Sequence, residues 1–182
     1  MKKKHQSKSV FFELISENNH QSIVDIINSY EYKDFTIFPF YFNRRDFYEI
    51  KDVIETLSEF KRGAKKGIWG IYDKKTQQLY GYVDYYYGWD AHEMELNIVI
   101  HPDNANKGLG KEVLRYMIRY LFDNYFVNTI SGWFDEGNSA AQKLCDSLKF
   151  KSSGMMRNYK LVNGEYSGLY CYSILRRNWG KD

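Results

Sequence analysis

Residues 95–121 read ELNIVIHPDNANKGLGKEVLRYMIRYL, and this stretch carries the strongest local pattern in the chain. Its first residues alternate between two kinds of side chain, which is typical of a strand with two different faces. Its last part has an apolar residue at every fourth position, which predicts a helix with one buried stripe. These residues are Leu109, Val113, Met117 and Leu121. The stretch therefore predicts a strand, a polar loop and a helix in succession.

The loop of this unit has the features of an anion-binding site. Gly108 and Gly110 allow backbone N–H groups to turn toward a ligand, and the N-terminus of the following helix adds partial positive charge. Lys107 and Lys111 lie on either side of the glycines. The loop therefore indicates a phosphate or pyrophosphate site, with a plain tight turn as the alternative. The glycine spacing matches neither a dinucleotide fingerprint nor a P-loop.

The sequence on both sides of this unit predicts the rest of the fold. Strands are expected at residues 10–15, 67–72, 78–87, 92–100, 129–134, 151–162 and 166–176. Further helices are expected over residues 23–30, from Asp46 to Gly63, and after Asn138, which can cap a helix. The order of strand, two helices, three strands, helix, strand, helix and hairpin predicts a mixed α/β (α+β) sheet.

The composition is that of one ordered globular domain. The chain has 182 residues, and its 17 Tyr, 12 Phe and 4 Trp exclude intrinsic disorder. The net charge is only +3. The basic run at residues 1–8 is therefore expected to be a flexible start, and no nucleic-acid partner is expected. No apolar stretch approaches the length of a membrane span.

Cysteine and histidine usage bears on compartment and metal binding. Cys145 and Cys171 are expected to be free thiols in a reducing cytoplasm, because the chain has no cysteine-rich framework. None of the four histidines has metal-ligand spacing to a cysteine or to a second histidine. We therefore expect no metal site.

Residues 95–121 resemble the acetyl-CoA-binding core of the GNAT superfamily of N-acetyltransferases. That core has a strand, a proline-containing turn, an Arg/Gln-x-x-Gly-x-Gly/Ala loop and a helix. Residues 138–150, NSAAQKLCDSLKF, resemble the second conserved helix of the family. Residues 158–179, NYKLVNGEYSGLYCYSILRRNW, resemble the end of the ribosomal-protein N-terminal acetyltransferase subgroup. Four residues depart from the family pattern: Ala105, Ala141, Cys145 and Lys149.

The resemblance implies both a fold and an activity. It implies one acetyltransferase domain over residues 9–182, with a mostly antiparallel central sheet that is splayed at the cofactor cleft and flanked by helices. The implied reaction is direct attack of a primary amine on acetyl-CoA. The amine could belong to a protein N-terminus, a polyamine or an antibiotic-like molecule, and a homodimer stays open. The alternatives are a catalytically silent CoA-binding protein, which the four departures suggest, and an RNA-associated protein.

The resemblance also implies where acetyl-CoA binds. The pantetheine is expected to pair with the backbone of a strand, and the pyrophosphate is expected on the glycine loop. Asn138 is expected at the pantetheine arm, with a plain helix cap as its other role. The residues implied are Asn97, Ile98, Val99 and Ile100 for the pantetheine, and Asn106, Lys107, Gly108, Leu109, Gly110 and Lys111 for the pyrophosphate.

The reaction needs a neutral amine, and therefore a base. At pH 7 roughly one-tenth of an α-amine is neutral, but less than one part in a thousand of a lysine-like amine. Glu95 is our candidate, because a partly buried acid near Glu93 would have a raised pKa. The alternative is that both carboxylates are solvated. Cys145 occupies the position of the family's usual tyrosine acid; it is either a proton donor or a packing residue.

A group of aromatic and acidic residues precedes and begins the central strand. Aromatic walls beside carboxylates suit a cationic amine, whereas exposed tyrosines on a bend are the alternative. The residues expected to bind the acceptor are Tyr85, Tyr87, Trp89 and Glu93.

Overall fold

A computed structural model describes residues 5–29, 32, 35, 48–62, 66–88 and 90–180, with the backbone alone for residues 59–62 and 66. Some sequence predictions therefore lie wholly or partly outside the described residues. They concern the basic run at residues 1–8, of which 1–4 are not described, Tyr30 at the end of the first predicted helix, the helix signals at Asp46 and Gly63, and the acceptor residue Trp89.

The predicted order of strands and helices is confirmed. The strands are β1 (His5–Gln6), β2 (Val10–Leu14), β3 (Lys66–Asp73), β4 (Leu79–Tyr87), β5 (Glu93–Ile100), β6 (Thr129–Asp135), β7 (Lys151–Val162) and β8 (Glu165–Leu175). The helices are α1 (His20–Ile27), α2 (Ile50–Arg62), α3 (Leu109–Asn124) and α4 (Ser139–Ser147). Of the described strands and α-helices, only β1 was not predicted, because two residues are too few to show a period.

The described strands form one sheet in the order β1-β2-β3-β4-β5-β6-β8-β7. Its neighbouring strands are antiparallel except for β5 and β6, which are parallel and joined by the crossover helix α3. These two strands pair only where Glu93–Glu95 lie beside Thr129–Ser131. This confirms the mixed sheet that the order of elements predicted and the mostly antiparallel, splayed arrangement that the family resemblance implied.

Both faces of the sheet are covered by apolar side chains. The larger core joins α3 to β5, and all four residues of the predicted α3 stripe lie within it. Met94 and Leu96 of β5 belong to this core. On the other face, α1 packs over β2, β3 and β4 in a second core that includes Ile23 and Tyr82. Among the described residues, no helix is long and apolar enough to cross a membrane.

A buried ion pair ties the far edge of the sheet together. Lys160 of β7 and Asp135 of β6 lie on either side of β8, with 2.7 Å between Nζ and Oδ1. Their side chains are 7% and 3% exposed. The pair therefore joins two strands that share no backbone hydrogen bonds.

Candidate functional site

A gap opens between β5 and β6 beyond their short paired segment. Gly132 lies just after this segment, where an added Cβ would be 2.9 Å from the carbonyl oxygen of Leu96. The hydrogen bond from His101 N to Tyr80 O fixes the alternation along β5. By that alternation the backbone groups of Ile98 and Ile100 face the gap. They could pair with an extended ligand there.

The same alternation directs the backbone of Asn97 and Val99 toward β4, where they lie opposite Asp84 and Tyr82. Of the four residues predicted to pair with a ligand, only Ile98 and Ile100 therefore present backbone groups to the gap. Sequence alternation alone could not show which backbone groups face a neighbour, because that depends on strand order.

The predicted anion loop lies between β5 and α3. Asn106 and Gly108 both have left-handed backbone conformations, with φ of 58° and 80°. Gly108 is the residue before α3, and no other atom lies within 4 Å of a Cβ built on it. Lys107 and Lys111 are exposed, and Lys107 Nζ donates to the Asp103 carbonyl at 2.6 Å. The loop is thus open, carries positive charge and adjoins free helix N–H groups, which suits a phosphate.

Asn138 and Lys149 lie at the two ends of α4. Asn138 caps α4, with its side-chain oxygen accepting from Ala141 N at 3.0 Å, so the predicted cap is confirmed. Lys149, where the family has glycine, has a φ of 64°. The residue that follows a helix commonly has this left-handed conformation, and glycine adopts the conformation with the least strain.

Glu95 lies on the β5 face opposite Met94 and Leu96, and it is buried rather than solvated. It is 9% exposed and accepts a hydrogen bond from the Tyr86 hydroxyl at 2.6 Å. Trp133 of β6 also lies near this carboxylate and counteracts part of the rise in its pKa. Burial raises the pKa of Glu95, and the nearby charge of Glu93 adds to the effect. The carboxylate of Glu95 is therefore fixed by a hydrogen bond and has an increased affinity for a proton.

The structure separates the predicted acceptor residues. Glu93 shares the face of Glu95, and its Oε1 accepts from Ser131 Oγ at 2.6 Å. Tyr85 and Tyr87 lie on the other face, where Tyr85 is buried in the larger core and both rings contact Tyr125. Consecutive residues of a strand point to opposite faces, so the grouping of these tyrosines with the glutamates does not hold in three dimensions.

Three residues near Glu95 were not predicted from the sequence: Tyr86, Trp133 and Asp84. The alternation of β4 could have identified Tyr86 and Asp84, since it places both side chains on the sheet face that Tyr85 does not occupy. No local sequence pattern could identify Trp133, because β5 and β6 are far apart in the sequence and become neighbours only in the folded sheet.

Asp84 is fully buried beside this group. Its Oδ1 accepts from Asn97 Nδ2 at 3.0 Å, and its Oδ2 is buried with no hydrogen-bond partner among the described residues. Burial raises the pKa of Asp84 to about 7, and the charge of Glu95 contributes. A buried carboxyl with one unsatisfied oxygen destabilises the fold whenever it is ionised.

We expect Asp84→Asn to raise the free energy of unfolding at pH 8 by on the order of 3 kcal/mol. An unfolded aspartate loses its proton near pH 4. Folded Asp84 keeps its proton to about pH 7, so stability falls as the pH rises between these values. At pH 5 the difference from the wild type should shrink by more than half. Urea unfolding at both pH values measures it, and a pH-independent difference would contradict the interpretation.

Cys145 lies on α4 and packs against the larger core. Burial raises the pKa of its thiol to about 12, and Asp146 adds to the effect. A thiol with so high a pKa is a weak proton donor. Its role as an acid stays a prediction, with packing as the physically simpler role. Among the described residues no cluster of His, Cys, Asp and Glu could hold a metal ion.

Comparison with known proteins identifies similar chains. A family model described as "Acetyltransferase (GNAT) domain" matches residues 14–151. The "Uncharacterized N-acetyltransferase p20" of Bacillus licheniformis is 23% identical over 135 residues, which are 74% of this chain and 76% of that protein.

Solved structures are similar over nearly the whole chain. Spermidine N-acetyltransferase from Vibrio cholerae, in complex with CoA and spermine, aligns with a TM-score of 0.80 at 15% identity, covering 93% of this chain and 97% of that one. Ribosomal-protein-S5-alanine acetyltransferase from Vibrio fischeri aligns with a TM-score of 0.76 at 15% identity, covering 97% and 98%. At these identities the structural likeness establishes the fold.

Proposed function

Since this chain belongs to the GNAT family of acetyltransferases and is an acetyl-CoA-dependent N-acetyltransferase, we propose that its acceptor is a cationic primary amine and that Glu95 is the general base. The observation that carries the proposal is the position of Glu95. It is buried beside the gap between β5 and β6, at the last residue pair before the strands separate.

The residues around the gap fit acetyl-CoA. The backbone groups of Ile98 and the N–H of Ile100 face the gap and suit the amides of the pantetheine arm, whereas the Ile100 carbonyl already accepts from the Tyr32 hydroxyl. The loop Asn106–Lys111, with its left-handed residues and two lysines, suits the pyrophosphate. Asn138 lies at the start of α4 and would contact the arm through its amide nitrogen, because its oxygen already caps the helix. Acetyl-CoA supplies a thioester whose acetyl group is transferred.

The chemical role of Glu95 follows from its surroundings. In the proposed step Glu95 takes one proton from the ammonium group, and the neutral nitrogen then forms a bond to the acetyl carbon. The carbon–sulfur bond breaks, and the second proton lost by the nitrogen passes to the departing sulfur, so that CoA leaves as a thiol. The hydrogen bond from the Tyr86 hydroxyl holds the carboxylate in place, with Trp133 beside it. Its raised pKa brings it closer to that of the amine, which favours proton transfer.

The charge of this face supports a cationic acceptor. Glu93 and Glu95 lie on the same face of β5, with the rings of Tyr86 and Trp133 beside them. Carboxylates flanked by aromatic rings attract ammonium groups. Both the α-amine of a protein N-terminus and a polyamine carry such a group. A spermidine N-acetyltransferase and a ribosomal-protein-S5-alanine acetyltransferase have similar folds.

A thiol-release assay with a panel of amines tests the proposed acceptor class. The panel contains peptides that begin with alanine or serine, spermidine and an aminoglycoside. It also contains an amine whose pKa is low enough that it is neutral at the assay pH. We expect turnover with at least one cationic amine and none with the neutral amine. Acetyl-CoA binding without turnover of any amine would favour the silent CoA-binding protein, which the comparisons do not support.

The anion loop can be tested with a matched pair of variants. Gly108 and Gly164 both have left-handed φ angles, of 80° and 86°, and each has open space where a Cβ would lie. Glutamate therefore introduces the same strain and charge at each position. We expect Gly108→Glu to weaken acetyl-CoA binding at least tenfold in calorimetric titration, whereas Gly164→Glu, at the β7–β8 turn, should leave it unchanged. Equal binding by both variants would place the pyrophosphate elsewhere.

A further inference from the structure

A groove on the outer face of α3 collects positive charge. It has a volume of about 680 Å³ and runs between α3, the segment before β2, the end of α4 and the residues that follow β8. Five cationic side chains line it: Lys8, Lys111, Arg115, Arg119 and Lys149. All five are exposed. This concentration contrasts with a net charge of only +3 for the whole chain.

Among the described residues, the one carboxylate that lines the groove is already engaged. Glu112 accepts hydrogen bonds from Ser7 Oγ, Ser9 N and Ser9 Oγ at 2.6, 2.6 and 2.7 Å. Lys111, Arg115 and Arg119 form no ion pair with any carboxylate in the described part of the chain. The charges of Arg115 and Arg119 are therefore left for a partner, whereas Lys111, at the end of the groove, also belongs to the loop proposed for the pyrophosphate.

The spacing of the cations suits a chain of phosphates. Lys111, Arg115 and Arg119 lie four residues apart on one helix, so their Cα atoms rise by about 6 Å per step. Phosphates along a nucleic-acid strand follow one another at a similar spacing and carry one charge each. Asp123, at the next step along the helix, lies beyond the groove.

The remaining lining favours a nucleic acid over an acidic protein. Trp179 lines the groove and is partly exposed, whereas the Tyr116 ring is stacked on Phe12 and Tyr120. Aromatic rings and arginines stack on bases, whereas carboxylates of an acidic peptide gain nothing from rings. Asn178 and Ser147 add neutral hydrogen-bonding groups that suit phosphate and sugar oxygens.

We propose that this groove binds a single-stranded segment of nucleic acid through its phosphates. This goes beyond acetyl transfer: the groove lies on a face other than the one that carries Glu95 and meets the anion loop only at Gly108 and Lys111. The order of charges along the sequence predicted no such partner, because each of the α3 cations stands alone there between apolar or acidic neighbours. The fold places them in one line and adds Lys8 and Lys149 from distant segments.

Fluorescence polarisation with a labelled 12-nucleotide RNA, and with DNA of the same sequence, tests the proposal on the full chain. We expect Arg115→Glu/Arg119→Glu to weaken binding at least tenfold at 50 mM salt. The slope of log affinity against log salt should decrease in magnitude by about 1.4, the value for two lost contacts to a single strand. Binding of either oligonucleotide, with this loss of affinity and this change of salt slope in the variant, supports the proposal.

The control is Lys151→Glu/Arg157→Glu, which makes the same charge change at exposed positions of β7. It should bind the oligonucleotides within threefold of the wild type. Equal losses in the two double variants would show a mere net-charge effect and overturn the proposal. So would absence of binding by the wild type, or tighter binding of poly-glutamate than of RNA. Acetyl-CoA titration should be unchanged in Arg115→Glu/Arg119→Glu; a loss there would assign the groove to the cofactor's nucleotide.

Discussion

We expect Glu95→Gln to lower kcat/KM for the amine acceptor by about 100- to 1000-fold, the range typical for loss of a general base. Glutamine keeps the size of the side chain and can still bond to Tyr86, but it cannot take a proton. The affinity for acetyl-CoA should stay within twofold, because no backbone group of the gap is altered. Initial rates of thiol release and calorimetric titration measure the two quantities.

Glu93→Gln is the matched control for this variant. It makes the same change two residues earlier on the same face, and Glu93 already accepts a hydrogen bond from Ser131. We expect only a several-fold rise in KM for a cationic amine. A larger loss of kcat in Glu93→Gln than in Glu95→Gln would identify Glu93 as the base.

The pH profile gives an independent test of the same role. Glu95 must be ionised to accept a proton, and its pKa is raised by burial. Wild-type kcat/KM should therefore rise with pH through a value above the ordinary range of a glutamate. This acidic limb should be absent in Glu95→Gln, apart from the part that comes from ionisation of the amine itself. An unchanged limb would exclude Glu95 as the titrating group.

The largest effect on stability is expected for Asp135→Ala, at about 3–5 kcal/mol. The change leaves the ammonium group of Lys160 without its carboxylate 2.7 Å away, on a side chain that is only 7% exposed. An uncompensated buried charge is costly because water no longer solvates it. Urea unfolding of the wild type and the variant at pH 7 measures the difference.

Asp135→Leu/Lys160→Met separates loss of charge balance from loss of packing. Removing both charges should recover most of the stability, because replacing a whole buried ion pair with apolar residues is often neutral. A double variant as unstable as Asp135→Ala would show that packing dominates. A cost below 1 kcal/mol for Asp135→Ala would show that Lys160 finds other partners at this edge.

Local periodicity was sufficient to predict most of the elements of this fold. The alternation in β5 is strong because apolar residues face one side of this strand and mostly polar residues face the other. The four-residue repeat in α3 is strong because this helix has a single buried stripe. The bounds of β7 were predicted to the residue, since the Asn163-Gly164 turn marks its end. Glu95 could also be proposed from the sequence, because its face follows directly from the alternation.

Features that depend on which strands are neighbours could not be predicted. Trp133 reaches Glu95 only because β6 lies beside β5, and Lys160 reaches Asp135 only because β8 lies between their strands. Tyr85 and Tyr87 were assigned to the acceptor site because they adjoin the acidic residues in sequence. Their side chains point to the α3 face, where sequence proximity to Glu93 has no consequence.

The position of β8 in the sheet bears on how the chain folds during synthesis. Its hydrogen-bonding partners lie on both sides, in β6 and β7, so β6 presents an open edge until β8 has left the ribosome. Arg176 then donates to the carbonyls of Phe122, Tyr125 and Val127, fastening the end of α3. Nascent chains that stop before β8 therefore carry an unpaired strand edge, a natural binding site for chaperones and a starting point for aggregation.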